Sequence, residues 1–106
     1  MYEKRKAVLV VHVEIDEADV DELNRWYEEE HRPDKMALPG YASLRRFRAF
    51  DGAPHFLAIY ELDYPEAAEI GNPENVIPVV TEWSKAVQAK WKDWNRRIWV
   101  ELPEPA

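Results

Sequence analysis

Two segments of this 106-residue chain are apolar on both sides of an extended backbone. They are Ala7–Ile15 and His55–Leu62, and both are rich in β-branched and aliphatic residues typical of strands. Because side chains alternate between the two faces of a strand, such segments need cover on both faces, and we predict them as central strands. The chain is therefore expected to fold around a sheet in which both sides have a packing partner.

The residues between these strands predict a helix and then an edge strand. An apolar stripe at helical spacing ends at His31, and Pro33 is expected to stop the helix there. Pro39-Gly40 suits the central positions of a type II turn. The strand that follows, Tyr41–Phe50, carries three arginines, and such charge is typical of a sheet edge.

The second half of the chain completes the pattern. It predicts a short helix that ends at Ile70, a longer helix from Thr81 whose apolar face reaches Trp94, and a last strand, Arg96–Leu102. The order strand, helix, strand, strand, helix, strand is the ferredoxin-like βαββαβ arrangement of the α+β class. Right-handed crossovers put both helices on one face of a four-stranded antiparallel sheet. We expect residues 1–106 to form a single domain.

This architecture leaves one apolar sheet face without cover. An exposed apolar face of several hundred Å² normally marks an interface. Packing a second copy against that face is the economical solution, so we predict a homodimer that closes into an α+β barrel.

Composition narrows the classes of function. A formal net charge of −7 argues against nucleic acid as a partner. The chain has no cysteine, which excludes disulfides and thiolate-held metals, and its three histidines show no close metal-ligand spacing. Three glycines are too few for a phosphate loop or dinucleotide fingerprint. No membrane span or signal peptide is predicted, and we expect a cytoplasmic protein without metal or cofactor.

Three stretches together resemble a known superfamily. They are Trp26-Tyr27-Glu28-Glu29-Glu30-His31-Arg32-Pro33, Leu38-Pro39-Gly40-Tyr41 and Phe56-Leu57-Ala58-Ile59-Tyr60-Glu61-Leu62. They are similar to the dimeric α+β barrel superfamily, and especially to its EthD-like (ethyl tert-butyl ether degradation) group, where a first helix ends in His-x-Pro before a Pro-Gly turn. The resemblance implies paired ferredoxin-like subunits and a small-molecule pocket. Members include polyketide cyclases, isomerases, cofactor-free oxygenases and haem-handling enzymes.

His31 is the first candidate catalytic residue. A helix C-terminus and three neighbouring glutamates favour imidazolium, so its pKa is expected to rise. It would act as an acid, a base or an electrophile on the ligand. The alternative is a capping role, with the ring bonded to the last helix carbonyls.

Other residues are expected to assist His31. We expect His12 and the hydroxyl of Tyr60 to lie in the same cavity and to be catalytic residues. Glu14 would orient the His12 ring through its carboxylate. Their alternatives are satisfied core or interface residues. The neighbours Arg45 and Arg46 point to opposite faces, so one of them faces inward or toward the partner chain.

The substrate-binding candidates are Tyr27, Trp26, Arg46 and Glu14. An inward Arg46 would hold a carboxylate or enolate oxygen, whereas an edge charge or an ion pair with the acidic helix is the alternative. The aromatic pair would wall a pocket or fill the core.

Two kinds of function follow from these expectations. The first is a cofactor-free enzyme for acid–base chemistry on an aromatic, polyketide-like or lactone substrate, of the cyclase, isomerase, lyase or oxygenase type. The alternative is a non-catalytic ligand-binding or stress-associated dimeric domain, or a haem-handling protein.

Overall fold

A four-stranded antiparallel sheet in the order β2-β3-β1-β4 forms the centre of the molecule. The computed structural model describes residues 5–69 and 80–103. The strands are β1 (Ala7–Glu14), β2 (Tyr41–Arg48), β3 (His55–Leu62) and β4 (Trp94–Val100). The two strands that are apolar on both faces are central and the arginine-rich strand is an edge, so the predicted ferredoxin-like sheet is confirmed.

Register decides which side chains share a sheet face. Along β1, buried and half-buried residues alternate strictly, and Leu9 and Val13 point into the core beneath the helices. Leu9 pairs with Tyr60 of β3, whereas His12 pairs with Leu57. Because paired residues of an antiparallel sheet share a face, Tyr60 lies on the helix-covered side and His12 on the other, which we call the outer face.

The first helical segment runs further than the sequence predicts. It comprises a 3₁₀ turn (Glu17–Asp19), α1 (Val20–Trp26), a π turn (Tyr27–His31) and α2 (Arg32–Met36). The predicted stop at Pro33 is therefore wrong. In the wide π turn the backbone N–H of Arg32 donates to the Tyr27 carbonyl five residues back, so the helix accommodates a proline that offers no N–H itself.

The second helical region is shorter than predicted. A 3₁₀ turn (Pro65–Glu69) occupies the place of the first short helix, and its predicted end at Ile70 lies outside the described residues. Thr81 caps α3 (Glu82–Gln88) by accepting a hydrogen bond from the Ser84 N–H at 3.0 Å.

The predicted continuation of α3 to Trp94 is wrong. The Lys92 N–H donates to the Glu14 carbonyl and the Glu14 N–H to the Asp93 carbonyl, so the chain already pairs with β1 there. This pairing gives the backbone groups of Glu14 hydrogen-bond partners, and it ends the helix before Trp94. Strand β4 therefore begins at Trp94 rather than at the predicted Arg96.

The outer face is only partly covered within the described chain. Phe47 and Trp99 are 44% and 52% exposed, and Val8, Val10, Leu57 and Ile59 are half-buried between them. Of the residues described, none belongs to a helix that is both long and apolar enough to cross a bilayer.

Candidate functional site

The π turn places His31 against the sheet. Its Nε2 atom lies 2.7 Å from the Tyr60 hydroxyl on β3. The imidazole stacks on Trp26 with 4.4 Å between ring centroids, and Tyr27 meets it edge-on at 5.0 Å. His31 therefore binds a side chain of the sheet, which answers the question left open by the sequence: the ring turns away from the carbonyls of its own helix.

Two buried tyrosines lie beside this contact. Tyr27 and Tyr60 are close enough for each to influence the pKa of the other, and both side chains are buried. Burial raises the pKa of Tyr27, an effect that Tyr60 partly offsets, and it raises the pKa of Tyr60 well above its ordinary value. The phenol of Tyr60 therefore keeps its proton and can donate its hydrogen bond to His31 Nε2.

His31 is neutral rather than charged. Loss of hydration on burial lowers the pKa of His31 to about 3, and the positive charges of Lys35 and Arg46 act in the same direction. The expected upward shift is thus wrong, because the ring has left the three glutamates and lies among aromatic rings. A neutral imidazole carries one N–H donor and one free acceptor nitrogen.

Arg46 is the inward-facing member of the arginine pair. Its guanidinium carbon lies 4.0 Å from the centroid of the Tyr27 ring, and its Nη1 donates to Asn24 Oδ1 at 2.9 Å. Its Nε and Nη2 atoms are buried and have no hydrogen-bond partner within residues 5–69 and 80–103. Buried donors without partners are costly, so these two nitrogen atoms are suited to bind a ligand oxygen beside Tyr27.

Trp26 serves mainly as a structural wall of the site. The indole is fully buried, and its Nε1 contacts both Glu30 Oε2 at 3.0 Å and Ser84 Oγ at 2.9 Å. Glu30 also accepts hydrogen bonds from Thr81 and from Ser84. Burial alone would raise the pKa of Glu30, but these hydrogen bonds outweigh it and lower that pKa. The indole is thereby fixed beneath the imidazole of His31.

Lys35 is a member of the site that the sequence analysis did not identify. Burial lowers the pKa of Lys35 to about 8, and the charge of Arg96 adds to this effect, whereas Asp34 opposes it. Its ammonium lies 5.3 Å from the centroid of the Tyr41 ring. The usable signal was its position four residues after His31, on the same helical face, but the expected break at Pro33 concealed it.

His12 and Glu14 lie on the outer face, so the expectation that His12 shares a cavity with Tyr60 is wrong. His12 Nδ1 contacts His55 Nε2 at 3.0 Å, because His55 begins β3 diagonally across from it. The predicted pairing of His12 with Glu14 is replaced by this contact. The alternation of side chains separates the two sets of candidates by the thickness of the sheet.

The outer face also carries a cleft at its other end. Its volume is about 360 Å³, and Val8, Glu61 and Trp99 contribute to its lining. None of the predicted site residues lines it. Among the described residues, no three histidine, aspartate or glutamate side chains are grouped as metal ligands.

Comparisons with known proteins give structural matches. No family model matches this sequence, and a search of curated proteins found no match. A dimeric ferredoxin-like protein from an uncultured marine organism superposes with a TM-score of 0.73 at 9% identity, over 97% of this chain and 93% of that one.

Two further similar structures are oxygenases by description. A monooxygenase from the gene ActVA-Orf6 of Streptomyces coelicolor, in complex with nanaomycin D, has a TM-score of 0.71 at 14% identity, covering 96% of this chain and 92% of its own. A mutant of SnoaB, a cofactor-independent oxygenase from Streptomyces nogalater, has a TM-score of 0.69 at 13% identity, covering 94% and 96%. At these identities the likeness establishes the fold, and the chain shares the ferredoxin-like fold of these proteins over nearly its whole length.

Proposed function

We propose that this protein is a cofactor-independent oxygenase that acts on a small aromatic or polyketide-like substrate. The observation that carries the proposal is the hydrogen bond of 2.7 Å between a neutral His31 and Tyr60, next to two unpartnered N–H donors of Arg46. The fold shared with described oxygenases supports the reaction type. The substrate class rests on the aromatic walls Trp26 and Tyr27.

The chemistry requires a proton acceptor and an oxyanion site. Removing a proton from a phenol or from a carbon beside a carbonyl gives an electron-rich anion that can react with O2. In the proposed reaction a ring CH2 and O2 give C=O and water, and the substrate supplies all the electrons. Arg46 would bind the oxyanion through its two unpartnered donors. His31 would take the proton or, as a neutral imidazole, donate a hydrogen bond to the substrate oxygen.

We also propose a paired assembly and a finer family assignment. Two copies would pack through their outer faces and close a barrel, as the exposure of Phe47 and Trp99 favours. One structural neighbour is described as dimeric. The His-x-Pro and Pro-Gly patterns support membership of the EthD-like group, and the cysteine-free sequence fits a cytoplasmic location.

His12 and Glu14 form a second proposed centre, now separate from His31. In a closed barrel both would line the interior between the two sheets. There His12, hydrogen-bonded to His55, would exchange protons with a ligand, and Glu14 would contribute to binding it.

Oxygen consumption tests the proposal. The protein is incubated with a panel of anthrones and dihydroxynaphthalenes, the rate of O2 uptake is recorded, and ¹⁸O2 labelling is followed by mass spectrometry. We expect one labelled oxygen per product. His31→Gln, Tyr60→Phe and Arg46→Gln should each lower the rate by about 10²-fold or more, as loss of a proton-transfer or oxyanion group does.

Arg48→Gln is the matched control for Arg46→Gln, because Arg48 lies two residues away on the same strand and forms an exposed ion pair with Glu17. Its rate should equal that of the wild type. Binding of these compounds without O2 uptake would overturn the oxygenase assignment and favour the ligand-binding alternative. A Soret shift on haem addition would instead favour haem handling.

A further inference from the structure

A continuous series of rings connects the buried end of the site to the surface. It runs from Tyr60 to His31, which lie 5.9 Å apart between ring centroids, and then to Trp26 at 4.4 Å. Trp26 meets Trp91 at 6.4 Å, and Trp91 meets Trp94 at 6.1 Å. Tyr60 and Trp26 are buried, whereas Trp94 is 55% exposed. The series therefore has one end in the core and the other in solvent.

All rings of this series except His31 belong to side chains that can transfer electrons. Tryptophan and tyrosine are the most readily oxidised side chains in a protein without cysteine, and electron tunnelling weakens steeply with distance. Several short steps between oxidisable rings are therefore faster than one long step. We propose that Trp26, Trp91 and Trp94 form an electron-transfer path between Tyr60 and solvent.

The surroundings of the path stabilise the charge that would move along it. A missing electron gives an indole a positive charge, and the carboxylate of Glu30 accepts a hydrogen bond from the Trp26 N–H at 3.0 Å. The Nε1 atom of Trp91 is buried and has no hydrogen-bond partner in the described part of the chain. At the inner end, neutral His31 accepts the phenolic proton that Tyr60 must lose on oxidation.

Each step balances in electrons and protons. A one-electron oxidant in solution takes an electron from Trp94, which is refilled by Trp91, and Trp91 by Trp26. Tyr60 finally gives up its electron and passes its phenolic proton to His31 Nε2. The products are a Tyr60 phenoxyl radical, a His31 imidazolium and the reduced oxidant. In the opposite direction, a thiol or ascorbate in solution would refill an oxidised Tyr60.

Flash photolysis tests this path without any substrate, so the result does not depend on the proposed oxygenase activity. Photogenerated ruthenium(III) tris-bipyridine serves as the oxidant, and the tyrosyl radical is followed by transient absorption and by electron paramagnetic resonance. The signal of interest is the part that disappears in Tyr60→Phe. We expect Trp91→Phe to lower that part several-fold, because phenylalanine fills the space but is not oxidised.

Two further variants make the test decisive. Trp99→Phe removes a tryptophan on the outer face, away from the series, and should leave the Tyr60-dependent signal unchanged. Trp94→Phe changes an exposed position and is therefore expected to fold. It should also lower the signal, so it tests the path if Trp91→Phe does not fold. A Tyr60-dependent signal of full size in both Trp91→Phe and Trp94→Phe, or no such signal in the wild type, would overturn the proposal.

Discussion

The charge on His31 is controlled by what surrounds the ring in space. Burial lowers its pKa to about 3, and Lys35 and Arg46 bring positive charge close to it. A neutral ring can remain hydrogen-bonded to Tyr60 over the whole physiological pH range. An anionic ligand beside Arg46 would oppose the two positive charges and raise the basicity of His31. Ligand binding would thus switch the residue toward its proton-accepting role.

This burial predicts a dependence of stability on pH. Below a pH of about 6.5 the unfolded chain binds a proton at position 31 that the folded chain excludes until about pH 3. The free energy of unfolding should therefore fall as the pH drops through this window. The contribution of His31 has a slope of up to about 1.4 kcal/mol per pH unit.

Urea unfolding of the wild type and of His31→Gln at pH 7 and pH 5 measures this contribution. The wild type should lose more stability than His31→Gln between the two pH values. Equal losses, or an imidazole that titrates near pH 6.5 by NMR, would show that the ring is not desolvated.

Substituting two glycines by alanine would distinguish the cost of backbone strain from the cost of steric crowding. Gly40, before β2, and Gly52, before β3, both have positive φ, at +84° and +82°. A Cβ at Gly40 would lie 2.6 Å from the Ala67 Cβ, whereas nothing lies within 4 Å at Gly52. We expect Gly52→Ala to cost about 1 kcal/mol of stability and Gly40→Ala roughly 3 kcal/mol. Equal unfolding midpoints for the two variants would contradict the close packing of this turn.

The π turn and α3 are joined by one carboxylate. Glu30 accepts hydrogen bonds from Trp26, Thr81 and Ser84, and Thr81 is also the N-cap of α3. A seven-residue helix is too short to be stable alone, so it depends on such contacts. The same carboxylate holds Trp26 beneath His31, which connects the position of α3 to the geometry of the site.

Removing this carboxylate should loosen α3. Glu30→Ala is expected to cost about 2 kcal/mol, because it leaves a buried indole N–H without its charged acceptor. Amide hydrogen exchange in Glu82–Gln88 should become faster. Glu29→Ala is the control, since it removes only an exposed ion pair with Arg25. Unchanged exchange in α3 of the Glu30 variant would mean that α3 is held by its apolar contacts alone.

At the scale of the whole molecule, the outer face predicts the assembly. We expect the wild type to sediment as a dimer at micromolar concentration. Ile59→Lys places a charge in the middle of the outer face and should give a monomer, since burying an unpaired charge is strongly unfavourable. Ala86→Lys adds the same charge on the exposed side of α3 and should remain dimeric. A wild type that sediments as a monomer would refute the dimer.

Residue types alone were enough to predict the sheet. Apolar residues on both faces of β1 and β3 predicted central strands, and the arginines of Tyr41–Arg48 predicted an edge. That Arg45 and Arg46 point to opposite faces also followed from alternation. These features are local, because they depend on a period of two residues along one strand.

The site itself depends on tertiary contacts that cannot be predicted from spacing along the sequence. His12 meets His55 because of the β1–β3 register, which spacing along the chain does not determine. The burial of His31 depends on Trp26 and Tyr60, from a helix and a strand that are distant from each other in sequence. The early end of α3 likewise depends on the need of β1 for a pairing partner. In each of these cases tertiary contacts determine the structure and override the local secondary-structure preference of the sequence.

The π turn has a consequence for comparing this protein with its relatives. A π turn holds one residue more than the α-helical turn that it replaces, so it corresponds to a single-residue insertion within Tyr27–His31. If this segment is aligned without a gap to a regular helix, residues on one side of the insertion are matched correctly. Residues on the other side are matched to positions that differ in direction by about 100°, the rotation per residue of a 3.6-residue turn. His31 and Lys35 would then be paired with residues that point elsewhere. Relatives should be aligned with a gap at this turn before the residue equivalent to His31 is assigned.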